Sequence, residues 1–224
     1  ARNMRGAWGK FICATALVII VSSAQTQPVP LAPPPVATRM LVFLGDSLTA
    51  GLGVQPGEAF PALIEQKIRV AGLPFAVEDA GLSGDTTAGG LRRVDWLLQR
   101  KIDVLAIELG ANDGLRGLPI ASVKSNLQAI IDKAKAKNPA VIIVVAGMQI
   151  PPNLGEEYGA AFRSAFSDIA ATNHAILVPF LLEGVGGHSD LNQADLLHPT
   201  AAGHRVIADN VWRILEPVLK QENR

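Results

Sequence analysis

The stretch that most constrains this chain is Met40-Leu-Val-Phe-Leu-Gly-Asp-Ser-Leu-Thr-Ala-Gly-Leu-Gly53. Met40 to Leu44 are apolar without a break, and Gly45 stops them. Such a run reads as a strand buried on both faces, the kind found in parallel sheets. Gly45, Asp46 and Ser47 then fall at its carboxyl end, which in open α/β sheets is where ligands bind. A serine there can turn its hydroxyl into a crevice. The plainer reading is a serine capping the next helix, and this stretch alone leaves both open. The Gly-x-Ser-x-Gly elbow is not met, because Thr49 occupies the place of the second glycine.

From here to the C-terminus apolar runs alternate with amphipathic helices. Glu58 to Ala71 reads as a helix with Phe60, Leu63, Ile64 and Ile68 on one face and Gly72 as its stop. Phe75 to Asp79 is a second strand, and Thr86 to Arg100 a helix with Leu91, Val94, Leu97 and Leu98 inward. Ile102 to Leu109 is a third strand, Ala121 to Lys137 a helix between Pro119 and Pro139, and Ala140 to Ala146 a fourth strand. Glu157 to Thr172 is helical, Ala175 to Val178 a fifth strand, and Ala201 to Glu216 a last helix with Val206, Ile207, Val211, Ile214 and Leu215 inward. Five strand–helix alternations predict an α/β class domain: three layers, α/β/α, around a five-stranded parallel sheet with right-handed crossovers. The flavodoxin-like order 2-1-3-4-5 is the expected topology. It makes the first and third strands neighbours and brings the Ser47 loop beside Gly110-Ala-Asn112.

The chain of 224 residues suffices for one such domain, with 49% hydrophobic and 18% charged residues. A formal net charge of zero gives no electrostatic reason to expect nucleic acid as a partner. Residues 1–24 differ from the rest. Arg2, Arg5 and Lys10 make a basic start, Phe11 to Val21 is apolar, and Ser22-Ser23-Ala24 offers small residues for cleavage. The pattern is that of a secretory signal peptide cut after Ala24, and it predicts a periplasmic or secreted protein without stable membrane insertion. The alternative, a retained anchor, would need roughly 20 apolar residues, more than Phe11 to Ala24 supply. Cys13, the only cysteine, would leave with this segment. Residues 25–38 hold Pro28, Pro30, Pro33, Pro34 and Pro35 and read as an extended tether. The domain itself is expected over 39–224.

Ser–His–acid catalysis needs a hydroxyl, an imidazole to take its proton, a group to orient that imidazole, and donors for the oxyanion. Each has a candidate in a loop after a strand or before a helix. Asp195-Leu-Leu-His198-Pro199 places an acid three residues before a histidine, within local reach of its ring. Pro199 keeps His198 out of the helical region, and Thr200 can cap the next helix. The plainer reading is an exposed histidine at a helix start. Ser83-Gly84-Asp85-Thr86 follows the second strand; Gly84 lets a substrate oxygen approach its backbone N–H, or it is simply a turn before a capping Asp85 or Thr86. Glu108-Leu-Gly110-Ala-Asn112-Asp113-Gly114 follows the third strand; Asn112 offers an amide donor or serves a Gly-rich turn, and Asp113 reads as a brace.

These four blocks, Gly-Asp-Ser-Leu, Ser-Gly-Asp-Thr, Gly-Ala-Asn-Asp and Asp-Leu-Leu-His-Pro, resemble in order those of the SGNH, or GDSL, hydrolase superfamily, over about Met40 to Leu219. The longer runs Ser-Gly-Asp-Thr-Thr-Ala-Gly and Glu-Leu-Gly-Ala-Asn-Asp-Gly-Leu-Arg-Gly are most similar to its bacterial periplasmic thioesterase, lysophospholipase and arylesterase group. Thr49 departs from the serine that many members carry. The resemblance implies Ser47 as nucleophile, His198 as base and then acid, and Asp195 as its orienting group. It implies an oxyanion hole of the Ser47 and Gly84 backbone N–H groups and the Asn112 side chain. In related enzymes the loop after the fourth strand helps line the acyl site, so Met148, Ile150 and Leu154 are candidate substrate contacts; a structural loop stiffened by Pro151 and Pro152 is the equal alternative.

The expectation is a serine ester hydrolase that cleaves carboxylic esters, and thioesters, of apolar acyl chains through an acyl-enzyme. Its partner is a small acyl ester or thioester. His198 and His204 stand six apart, but a serine with an amide donor needs no metal and no third ligand is evident, so neither metal nor cofactor is expected. Two rivals remain. A carbohydrate O-deacetylase on the same scaffold would want aromatic platforms, and aromatic residues are only 5% of the chain. A non-catalytic acyl-binding protein would not need Ser47, Asn112 and His198 together.

Overall fold

The computed structural model describes residues 39–222. The expected signal peptide and Pro-rich tether, with Cys13, lie outside the described residues. Five parallel strands form one sheet: β1 Arg39–Gly45, β2 Phe75–Gly81, β3 Val104–Glu108, β4 Ile142–Ala146 and β5 Ile176–Val178. Their order is β2-β1-β3-β4-β5, as the alternation predicts. Leu41, Val42, Phe43 and Leu44 are all buried, which explains why β1 reads as an unbroken apolar run: it has no solvent face.

Six α-helices accompany the sheet: α1 Phe60–Val70, α2 Thr87–Leu97, α3 Ala111–Leu115, α4 Ile120–Lys137, α5 Glu156–Asn173 and α6 Ala201–Glu222. Helix α1 packs on α6, whereas α2 packs on α4 and α4 on α5. Phe43 meets Phe60 of α1 edge to face at 5.2 Å and shares a small void with Val211 and Leu215 of α6. Among the described residues no helix is long and apolar enough to cross a membrane.

Three local outcomes differ from the sequence reading. Helix α3 lies in what reads as a Gly-rich loop, because five residues carry no detectable periodicity. Pro56–Glu58 forms a separate 3₁₀ turn, so α1 starts at Phe60 and not at Glu58. Helix α6 runs past Pro217 to Glu222. Pro217 lacks an N–H and ordinarily breaks a helix, but here it faces solvent while Leu215 and Leu219 on the same helix are fully buried. Apolar burial outweighs one lost hydrogen bond.

Strand register levels the sheet at its carboxyl end. Gly45 pairs with Gly81 of β2 on one side and with Glu108 of β3 on the other. Three strands therefore end at one level, and the loops bearing Ser47, Gly84 and Asn112 leave side by side.

Leu105, fully buried in central β3, anchors this arrangement. Leu105→Ala is expected to cost about 2–5 kcal/mol, read as a lower urea midpoint with an unchanged slope. A loss below about 0.5 kcal/mol, the usual range for surface sites, would mean that β3 does not form the centre of the core.

Candidate active site

Beyond β1 the chain wraps around a buried carboxylate. Oε2 of Glu108 accepts from the N–H of Asp46 at 3.2 Å, the N–H of Thr49 at 3.2 Å and the Thr49 hydroxyl at 2.6 Å. Ser47 stands within the turn so formed and caps no helix. A side chain on Gly45 would run into Thr49 and Glu108, so only glycine lets the strand end this close to the acid. Asp46 ties the turn to the neighbouring loop: Oδ1 accepts from the N–H of Leu48 at 3.0 Å, and Oδ2 from the Asn112 amide at 3.1 Å. With one amide hydrogen held by Asp46, the other is available to a ligand.

Arg93 of α2 fastens the far side. Its guanidinium donates to the carbonyls of Gly45 at 2.8 Å and Ala80 at 2.7 Å and to Asp85 Oδ2 at 2.7 Å, joining β1, β2 and the Gly84 loop. Gly84 has a φ of 80°, and a side chain there would meet open space, so its loop is shaped by backbone conformation and not by crowding. Thr86 caps α2 by accepting from the N–H of Gly89 at 3.2 Å. Asp113 is a brace, as its sequence context suggests: it accepts from the Thr87 N–H at 2.8 Å and the Thr87 hydroxyl at 2.6 Å.

The histidine arrives on the loop before α6. Asp195 Oδ1 accepts from the N–H groups of Leu197 and His198 at 2.9 and 3.0 Å, and Oδ2 lies 2.6 Å from His198 Nδ1. Those bonds, first the one from the His198 N–H, hold the Asp195 carboxyl down at about 2. Asp195 is therefore charged and can only accept, so Nδ1 carries a proton and Nε2 of neutral His198 presents a lone pair. That Nε2 is 3.0 Å from Ser47 Oγ. Gln193 locks the two loops together, donating to the carbonyls of Leu52 at 2.7 Å and Pro199 at 3.0 Å. Thr200 receives the Gly203 N–H at 3.3 Å at the start of α6.

A cavity of about 90 Å³ opens beside Ser47, lined by Asn112, Leu115, Met148, Pro151, Leu182 and His198 among others. Met148 lies in its wall; Ile150 packs instead towards Gly114, and Leu154 is exposed beside Gly117. Two larger surface hollows, about 580 Å³ between α1 and α6 and about 490 Å³ around Arg100 and Lys137, contain no nucleophile with a base. His204 is fully buried, accepts from the Phe60 N–H at 3.2 Å, and is pushed down to about 4 by burial. No group of three or more metal-ligating side chains occurs among the described residues.

Sequence reasoning passed over the supports: Glu108, Asp46, Arg93 and Gln193. Glu108 did carry a signal, since a lone acid ending an apolar buried strand is costly unless something needs it. Burial pushes Asp46 up to about 6, and pushes Glu108 well above its ordinary value, with the nearby Asp46 charge adding to it. Oε1 of Glu108 has no protein partner.

Comparison with known proteins bears on this geometry. Residues 43–206 match the GDSL-like Lipase/Acylhydrolase family. The chain is 41% identical to Esterase TesA of Pseudomonas aeruginosa, over 82% of this chain and 90% of that protein. It is 32% identical to an Escherichia coli protein named as thioesterase, protease and lysophospholipase, over 84% and 88% of the two chains. A crystal structure of the psychrotrophic esterase EstA from Pseudoalteromonas, inhibited by monoethylphosphonate, superposes with a TM-score of 0.76 at 35% identity, covering 81% of this chain and 99% of that one.

The two raised carboxyls have a consequence for stability. Asp46 and Glu108 bind protons more tightly when folded than at their ordinary values of 3.8 and 4.5. Their contribution is fully present below those values and is lost as pH rises through the folded ones. Glu108→Gln removes the Glu108 share. The melting temperature of the variant should therefore fall less than that of the parent between about pH 4 and pH 8; parallel curves would show that Glu108 is not raised in the fold.

Proposed function

The chain belongs to the GDSL-like lipase/acylhydrolase family and is an SGNH serine esterase, and we propose that Ser47, His198 and Asp195 run the reaction on esters and thioesters of apolar acyl chains. One observation carries the assignment of roles: the Ser47 hydroxyl, the His198 ring and the Asp195 carboxylate form an unbroken line of contacts at 3.0 and 2.6 Å. Ser47 Oγ attacks the substrate carbonyl while Nε2 of His198 takes its proton. Asp195, held charged by two backbone N–H groups, stabilises the imidazolium so formed. The carbonyl oxygen gains charge as the tetrahedral intermediate forms. The free amide hydrogen of Asn112 and the N–H groups of Ser47 and Gly84 are the donors that meet it.

Collapse expels the alkoxide or thiolate, which leaves with the proton from His198. A water, deprotonated by the same Nε2, then attacks the acyl-Ser47 ester; the acid departs and Ser47 regains its hydrogen. An apolar acyl chain fits the walls, where Met148, Leu115, Pro151, Leu182 and Leu197 outnumber Gln149, the one polar side chain there outside the proposed catalytic set and Asp46. Tying Asn112 to Asp46 places the amide before substrate arrives, so no reorganisation is needed during the reaction.

With p-nitrophenyl butyrate as substrate, Ser47→Ala should lower kcat about a million-fold, as when a serine nucleophile is removed. Asn112→Ala should lower it about 10²–10³-fold. A folded Ser47→Ala protein that keeps its turnover, or still takes a fluorophosphonate label, would overturn the mechanism.

A further inference from the structure

Of the three donors proposed for the oxyanion, two are tied together by one side chain. The Asp46 carboxylate receives the Leu48 N–H of the Ser47 turn and the Asn112 amide. The third, the Gly84 N–H, stands on a separate loop between β2 and α2. Gly84 does nothing to hold itself there. It has no side chain to pack, a Cβ on it would meet open space, and its φ of 80° is one of many conformations open to glycine. Among the described residues its N–H donates to no backbone carbonyl, so that hydrogen is open to a ligand, and its direction must come from its neighbours.

Those neighbours converge on Arg93. The loop folds back at Leu82, whose N–H donates to the Gly45 carbonyl and whose own carbonyl receives the Asp85 N–H, both at 3.0 Å. Arg93 Nη2 donates to that same Gly45 carbonyl at 2.8 Å, and Nη1 to the Ala80 carbonyl at 2.7 Å. Its Nε donates to Asp85 Oδ2 at 2.7 Å, while Asp85 Oδ1 receives the Thr86 N–H at 3.0 Å. One planar group thus pins the loop both before Leu82 and after Gly84. Two glycines make room for this. A side chain at Gly89 would strike the Asp85 carboxylate, and one at Gly81 would strike the backbone of Asp46 and Ala50 in the Ser47 turn. The end of β2 therefore lies directly against the nucleophile turn, and any shift of the Gly84 loop is a shift relative to Ser47.

The contacts are sheltered: the Arg93 side chain is 24% exposed and that of Asp85 6%. Arg116, which also reaches this loop, makes a single exposed bond, to the Gly84 carbonyl at 3.0 Å. The acceptors of Arg93 stand on three segments, β1, β2 and the loop itself. A guanidinium meets them with its fixed fork, whereas a lysine ammonium is one point on a flexible stem and cannot span them.

We propose that Arg93 is a positioning residue for the hydrolysis: through Asp85 and the carbonyls of Gly45 and Ala80 it sets the Gly84 N–H at the point where the oxyanion forms, without itself touching the substrate. The proposal rests on the ester-hydrolase reading, and its test separates the two. Two inhibitors of one chain length report different states. With an alkyl trifluoromethyl ketone, Ser47 Oγ bonds to the carbonyl carbon, its proton passes to His198, and the carbonyl electron pair moves onto the oxygen, which becomes the oxyanion. The plain methyl ketone stays trigonal and reports the acyl site alone. Arg93→Lys should lower kcat/KM for p-nitrophenyl butyrate about 10- to 100-fold and raise the Ki of the trifluoromethyl ketone by the same factor. The Ki of the methyl ketone should stay within about twofold, and the pH at which kcat/KM is half-maximal should not move, because His198 is untouched. In Asp85→Asn the single amide oxygen can serve the Thr86 N–H or Arg93 but not both, so this variant should show the same pattern at about tenfold.

An Arg93→Lys protein as fast as the parent, or one that loses kcat/KM while the trifluoromethyl ketone binds as before, would overturn the positioning role and leave the esterase intact. So would equal weakening of both ketones, the mark of a collapsed acyl site, or a shifted pH midpoint, the mark of a disturbed His198. Should Arg93→Lys fail to fold, Asp85→Asn decides by the same criteria. No turnover of p-nitrophenyl butyrate by the parent would instead fell the ester-hydrolase reading.

Discussion

Everything at the site hangs on one buried acid. Glu108 ends the central strand and gathers three donors from the turn that carries Ser47. Without that acceptor the N–H groups of Asp46 and Thr49 would be buried and unpaired, each costing about 1–3 kcal/mol. The turn therefore closes on the carboxylate, and the serine within it has one place to stand. Asp46 carries the same constraint outward to Asn112, so the Ser47 turn and the Asn112 amide, the proposed nucleophile and oxyanion donor, are tied to each other by one carboxylate.

This arrangement has a cost that the fold carries elsewhere. Burial in a dry interior disfavours the charge of both acids and raises both, and the nearby Asp46 charge raises Glu108 further. The α/β core supplies the compensation. Strand β1 has no exposed face, and α1, α4, α5 and α6 each seal part of the sheet with fully buried side chains. The sheet holds the loops level, and the proposed chemistry draws on residues from four of them. Asp195 works by a different route. It lies near the surface, is kept charged by local backbone bonds, and needs no burial to orient His198.

The strands and most helices were legible because their patterns are long: unbroken apolar runs for buried strands, one-sided periodicity for helices. Where the pattern was short or contradicted by a single residue, it failed. The five residues of α3 gave no period, and Pro217 suggested an end to α6 that the burial of Leu219 overrode. The residues proposed to react stood out because each sits in a distinctive local block, and the fold brings Ser47, His198 and Asp195 within hydrogen-bond distance. The supports were not, because the bonds by which Glu108, Arg93 and Gln193 reach Thr49, Gly45 and Leu52 span 48 to 141 residues.

By itself the sequence determined the fold class, the strand order and the residue types of the proposed site, since these follow from local hydrophobic pattern and from chemistry carried in short blocks. Tertiary structure alone decided that Gly45, Gly81 and Glu108 stand at one level and that a lone acid in an apolar strand becomes the post around which the nucleophile turn is wound. The physical reason is the same in each case: hydrogen-bond partners and apolar neighbours brought together by chain crossovers leave no mark in the spacing of residues along the chain.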